Sequence, residues 1–339
     1  PEHAPGAPAG RYMPYLCNDT SYRKTFALST EGVAKDKHGG VPDAPSSSAC
    51  AWPENKTCVG RYSLPSPNAS EAFYSARFEQ GRAFGMAGFE HDFVGQDSLD
   101  FGWTSQLGAG SAWIQGMGRA AARARVPMQL CLATASDMLE SLTMPWVTNA
   151  RASGDYAFCA DSWDIGMAGL LLWAVGVRPF KDVFWTTARQ PGSPYDNTTL
   201  FPSMYAKCRD AHGTHAQPNV HLDALISAFS TGPVGIGDGD GYTDAPLVLR
   251  TCRADGVLLP PSKPLSPLDR TWWPPADGTS GSVTVDLRWL LGSYSRVNAS
   301  LWQYVVAIDA PCATTRAIDV RTELYWPPAD VAMDTNIDG

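Results

Sequence analysis

The chain lacks any run of eighteen apolar residues. Its longest candidate, Ile165 to Val177, is too short and is interrupted by Gly166, Gly169 and Gly176, so no membrane insertion is expected. A basic run is missing too. Lys and Arg total 26 against 34 Asp and Glu, a net charge of −8. Nucleic acid and anionic membrane surfaces require basic patches, so neither is expected as a partner. The 8 Cys contain no Cys-x-x-Cys pair and the 6 His show no zinc spacing, so no metal and no cofactor are expected. Gly235, Gly237, Gly239 and Gly241 have the wrong spacing for a dinucleotide fingerprint, and Asp238 and Asp240 would repel phosphate. The opening Pro1-Glu2-His3-Ala4-Pro5-Gly6 carries no signal-type apolar stretch, which leads us to expect a processed or truncated terminus.

Cysteine, sequons and aromatics are what the chain does have. The cysteines, at 17, 50, 58, 131, 159, 208, 252 and 312, are even in number. Five Asn-x-Ser/Thr sequons occur, at Asn18, Asn55, Asn68, Asn197 and Asn298, none blocked by proline. Together they predict a secreted, extracellular or cell-surface glycoprotein with disulfides. Cys50 and Cys58 bracket a proline-containing loop and form the best local pair, whereas Cys131 lies in an apolar run and is expected to be a buried thiol. Twelve Trp and twelve Tyr, many near Gly, Pro and Asp, suit carbohydrate as a partner. Aromatic faces stack on the C–H faces of sugar rings, and an aromatic-rich core is the alternative.

Strand-like and helix-like segments then alternate. Asn68 or Ser70 is positioned to cap a helix running to about 82. A strand is expected over 85–93, a helix over 109–125, a strand over 127–133, a helix over 136–142 and a strand over 146–151. A helix over 163–175, a strand over 182–186, a helix over 220–229, a strand over 231–237 and a helix near 244–253 follow. This alternation predicts an α/β fold with a parallel sheet. The pattern changes after a Pro-rich stretch: 282–290, 300–309 and 316–325 alternate as antiparallel strands. Two domains are expected, a β/α barrel over 1–262 and an antiparallel β domain over 263–339. Only about six barrel strands can be counted where eight close a barrel, so a fragment missing its first strands is expected.

Two acidic motifs sit at strand ends: Phe89-Glu90-His91-Asp92-Phe93, and Arg151-Ala152-Ser153-Gly154-Asp155. In their order and spacing, over about residues 80–260, they resemble the clan of retaining α-galactosidases and raffinose-synthase-like (melibiase-type) glycosidases. The similarity is closest to uncharacterised secreted animal and algal members with a Glu-x-Asp motif and a segment like Thr148 to Tyr156. Ser230 to Asp238 resembles the clan's last barrel strand, and Leu247 to Pro261 the helix and turn after it. The resemblance implies a (β/α)8 barrel with Asp92 as nucleophile and Asp155 as general acid/base. The clan's lysine two before the nucleophile is Glu90 here, an anion where a cation meets the sugar, which puts galactose specificity in doubt. On a strand, Glu90 and Asp92 point to the same side and His91 to the other, into the helix layer.

Further substrate-binding candidates are Arg151, which could instead hold Asp155; Gln129 on the next strand; Trp185, a stacking platform or a core residue; and Asp238, at the end of the last strand. The terminal Asp334-Thr335-Asn336-Ile337-Asp338-Gly339 matches half of a calcium loop, and a frayed acidic tail is the expected reading. The expected function is retaining hydrolysis of an α-linked glycan. The alternative is a catalytically silent glycan-binding or structural module that meets other chains of an extracellular assembly. A transglycosidase would use the same residues.

Overall fold

The computed structural model describes residues 28–29, 64–95, 106–156, 165–192, 216–268 and 290–308. The chain divides into two compact units, 1–148 and 149–339. The first holds β1 (Leu28–Ser29), paired antiparallel with β2 (Leu64–Pro65), then α1 (Ser70–Ala83), β3 (Phe89–His91), α2 (Ala109–Ala124), β4 (Met128–Leu130) and α3 (Ala135–Glu140). β5 (Val147–Arg151) spans the division. The second holds α4 (Gly166–Ala174), β6 (Arg178–Phe180), α5 (Val220–Phe229), α6 (Ala245–Val248), β7 (Ser266–Pro267), β8 (Leu290–Val297) and β9 (Ser300–Ala307). The fold is mixed α/β: a four-stranded parallel sheet in the order β3-β4-β5-β6, and a separate antiparallel sheet, β7-β8-β9.

In the first unit, α2 forms because its apolar residues recur on one face. Trp113, Ile114, Met117, Ala120 and Ala121 are all buried, while Arg119 and Arg123 lie outside. Both arginines reach Glu71 of α1, at 2.7 and 2.6 Å. The side-chain bond from Arg119 is the main reason the Glu71 carboxyl sits below its ordinary range. The helices approach closely where Gly116 faces Ser70; a Cβ on Gly116 would lie 2.8 Å from the Ser70 Cβ. Ser70 does not cap α1. Its hydroxyl donates to the Trp113 carbonyl at 2.6 Å, and Ala69 occupies the N-cap with no side-chain bond. The capping expected of Asn68 or Ser70 is therefore corrected: tertiary packing took the hydroxyl. α3 does have its cap, a reciprocal Thr134–Asp137 capping box.

β3 and β4 pair in parallel, with Glu90 opposite Gln129 and His91 opposite Leu130. Alternation then sorts the faces. Phe89 meets Tyr74 and Phe78 of α1, and His91 meets Tyr74 and Trp113, whereas Glu90 is exposed. Both strands end before their apolar runs do, because Phe93 (φ 57°) and Leu132 (φ 52°) turn the chain just afterwards.

The second unit departs further from expectation. β6 occupies 178–180, and the expected strands over 182–186 and 231–237 shrink to one parallel bridge, Phe184 to Ile236. The reason is side-chain competition. Val183 N–H donates to the Asp182 carboxylate and Asp182 N–H to the Ser153 hydroxyl, so neither joins a ladder. In the other segment Pro233 has no N–H to give. The helix expected near 244–253 stops at Val248, because a tight reversal through Gly256 (φ 83°) brings Cys252 back to Leu258.

The antiparallel sheet shares a core with the helical layer: Ile165 and Ile226 pack with Leu265, Leu291 and Ile308. β8 begins at Leu290 and pairs with β9 over its whole length. Of the strand expected over 282–290, only Leu290 lies among the described residues, and 316–325 lies outside them. Asn298 turns the hairpin in the left-handed region (φ 55°), which asparagine tolerates.

Candidate functional site

The candidate residues fall in both units. In the first, Asp92 directly follows the carboxyl end of β3. Beneath it His91 is buried, with Nε2 3.0 Å from the Tyr74 hydroxyl and Nδ1 2.9 Å from the Asp92 carbonyl. Burial is the main cause that holds the imidazole down at about 4, so it is neutral at pH 7. A carbonyl only accepts, so Nδ1 carries the proton and Nε2 accepts from Tyr74. The Tyr74 hydroxyl, the neutral His91 imidazole and the Asp92 carbonyl thus form a brace that fixes the backbone at the candidate nucleophile. The Asp92 carboxylate accepts from Phe93 N–H at 2.8 Å. Phe93 itself holds a left-handed backbone, unusual for a bulky residue and the kind of strain that gathers at functional sites. Glu90 and Gln129 are cross-strand neighbours on the face away from α1 and α2.

In the second unit the loops after β5 and β6 lock together through Asp182. Its carboxylate accepts from Arg151 Nη1 at 3.0 Å, Tyr156 N–H at 2.8 Å and Val183 N–H at 2.9 Å. Arg151 is buried, and its other terminal nitrogen meets Asp155 at 2.7 Å. The Asp155 side chain is 79% exposed, so water screens that second pair. Of the two roles weighed for Arg151, holding Asp155 is the one the geometry displays.

A second layer lies below. Lys181 and Asp223 form an ion pair at 3.2 Å, with side chains 0% and 3% exposed. Burial, above all, pushes the lysine below and the aspartate above their ordinary values, and their mutual attraction opposes both shifts. The lysine also sits over the Tyr156 and Phe184 rings, at 5.0 and 5.6 Å. Gln217 donates to Asp223 and to the Tyr156 hydroxyl, which also receives Trp185 N–H. Burial pushes that phenol well above its ordinary value, so it stays protonated.

Trp185 is buried against Tyr156, the core alternative of the two weighed for it. Asp238 clamps its loop: its carboxylate accepts from Thr186 N–H, the Thr186 hydroxyl and Gln190. Asp182, Lys181, Asp223 and Tyr74 were missed in the sequence. Asp182 alone left a signal there, an acid just past a strand, hidden because the strand was placed too late.

Among the described residues no group of three or more His, Cys, Asp or Glu is arranged to hold a metal, and no helix is long and apolar enough to cross a membrane. Cys131 is buried, and the Cys252 thiol lies 3.8 Å from the Val248 carbonyl. Asn68 and Asn298 are exposed on turns. Asn18, Asn55, Asn197, Cys50, Cys58 and the acidic 334–339 segment lie outside the described residues. The chain matches no protein-family model, and comparison with curated proteins yields no match.

Proposed function

We propose that the chain is a secreted or cell-surface glycoside hydrolase of the retaining α-galactosidase-like type, on a (β/α)8-barrel plan. One observation carries the reading: Asp92, Asp155 and Asp182 all follow the carboxyl ends of strands of a parallel sheet. Those ends are where β/α folds bind and transform ligands. Asp92 attacks the anomeric carbon of an α-linked glycan, and the bond to the leaving oxygen breaks as Asp155 donates its proton. Asp155 then takes a proton from water, which displaces Asp92 and releases the sugar with retained configuration. Glu90 and Gln129 meet sugar hydroxyls, and Arg151 positions Asp155. The test is hydrolysis of 4-nitrophenyl α-glycosides by the full chain. Asp155→Ala should lose about 10²- to 10⁴-fold in kcat, and Asp92→Asn should be inactive; full activity in Asp92→Asn refutes the assignment.

A second reading has its own support. Arg151 is held by two carboxylates, and Glu90 stands where the resembling enzymes carry a cation. Both favour a catalytically silent glycan-binding module of an extracellular assembly. Glycan-array binding without turnover would select it over the hydrolase.

A further inference from the structure

At the opposite, amino end of β6 lies a cavity of about 300 Å³, lined by Trp173, Gly176, Val177, Arg178, Thr231, Pro260, Pro261 and Ser262. That volume is at the small end of ligand sites, about 300–1,000 Å³, and matches a single ring. Four features give it a chemical character. Trp173 is half-buried and offers an indole wall, braced by the Lys263 ammonium 5.4 Å from its ring centroid. Arg178 is exposed and has no side-chain hydrogen bond or ion pair among the described residues. Thr231 is buried yet holds a left-handed backbone (φ 75°), a strained state for a β-branched residue. Pro260 and Pro261 make their part of the lining stiff.

We propose that this cavity binds one anionic sugar, a hexuronate unit of a glycan, with its carboxylate on Arg178 and its ring against Trp173. An unpaired guanidinium is a planar fork that matches a carboxylate with two parallel bonds. Arg178 is the one cation among the lining residues, and the Lys263 ammonium is engaged by the Trp173 ring, so a single negative charge is favoured over a multiply charged phosphate. The indole wall suits the C–H face of a pyranose, and Thr231 and Ser262 offer hydroxyls at its edge. The site extends the carbohydrate reading but does not depend on hydrolysis, since it lies at the other end of the strand from Asp182.

The test is titration of the full chain with methyl glucuronide, methyl galacturonide, the matching neutral glycosides and benzoate, read by calorimetry and saturation-transfer NMR. At least one uronide should bind about tenfold or more tightly than its neutral counterpart. Arg178→Gln, an exposed change that leaves the fold intact, should weaken it about ten- to a hundredfold. Trp173→Phe should retain part of the binding, while Asp92→Asn should bind as the parent does. Any of three results overturns the proposal: neither uronide binding at millimolar concentration, neutral glycoside or benzoate binding as well, or Arg178→Gln without effect. Loss of turnover in Asp92→Asn with uronide binding intact separates this site from the proposed catalytic one.

Discussion

His91→Gln takes a titrating imidazole out of the first unit while keeping a donor for the Asp92 carbonyl and an acceptor for the Tyr74 hydroxyl. The imidazole is fully buried and held at about 4, against an ordinary 6.5. Its folded value is depressed, so between these limits the unfolded chain binds the extra proton. Stability contributed by the neutral imidazole is therefore complete above pH 6.5 and is lost as pH falls towards 4. At 1.36 kcal/mol per pH unit, the loss specific to His91 is about 2 kcal/mol at pH 5 and about 3 kcal/mol at pH 4. The carboxylates of the two proteins titrate alike and cancel in the difference. Native-state hydrogen exchange of the β3 amides, from pH 4 to 7.5, reads the first unit itself. The parent's curve should fall more steeply than that of His91→Gln by this amount. Parallel curves would refute the burial argument, as would an imidazole seen by NMR to titrate near 6.5 in the folded protein.

Asp223→Ala leaves the Lys181 ammonium buried without its partner and should cost about 3–5 kcal/mol, whereas Lys181→Met with Asp223→Leu should recover most of the loss; chemical denaturation of the three variants decides it. Gly116→Ala places a Cβ against Ser70 of α1. Overpacking of about 1–3 kcal/mol outweighs about 1 kcal/mol of helix propensity, so a net loss of up to about 2 kcal/mol is expected, and a stabilised variant would contradict it. Arg151→Lys cannot hold both Asp155 and Asp182 with one ammonium; about 1–3 kcal/mol should be lost by denaturation, mostly on the less exposed Asp182 side. Expressed through a secretory pathway, the chain should carry glycans at Asn68 and Asn298, seen as a mass shift removed by Asn→Gln changes.

The elements easiest to see in the sequence were those whose own residues decide them. α2 repeats apolar residues at helical spacing from Trp113 to Ala121, and α5 was expected over the ten residues it occupies. His91 was expected to face the helix layer and is buried there against Tyr74 and Trp113. Where contacts distant in sequence decide the matter, the reading failed. β6 contains Pro179, which obscured it, and the run after it looks apolar but gives the amide protons of Asp182, Val183, Trp185 and Thr186 to side chains. The Lys181–Asp223 pair joins residues that no local pattern connects. At the candidate site, Asp92 and Asp155 stood out by their motifs. The Asp182 hub that ties Arg151 to Tyr156 did not, because a single aspartate becomes a hub only when two loops meet.

The most direct test of the central claim is covalent trapping. The full chain is incubated with a panel of 2-deoxy-2-fluoro α-glycosyl fluorides, and the labelled peptide is mapped by mass spectrometry. The account predicts one sugar adduct, on Asp92, absent in Asp92→Asn and slow to hydrolyse. An adduct on another carboxylate, or hydrolysis of α-glycosides that never traps an intermediate and inverts the anomeric configuration, would contradict it.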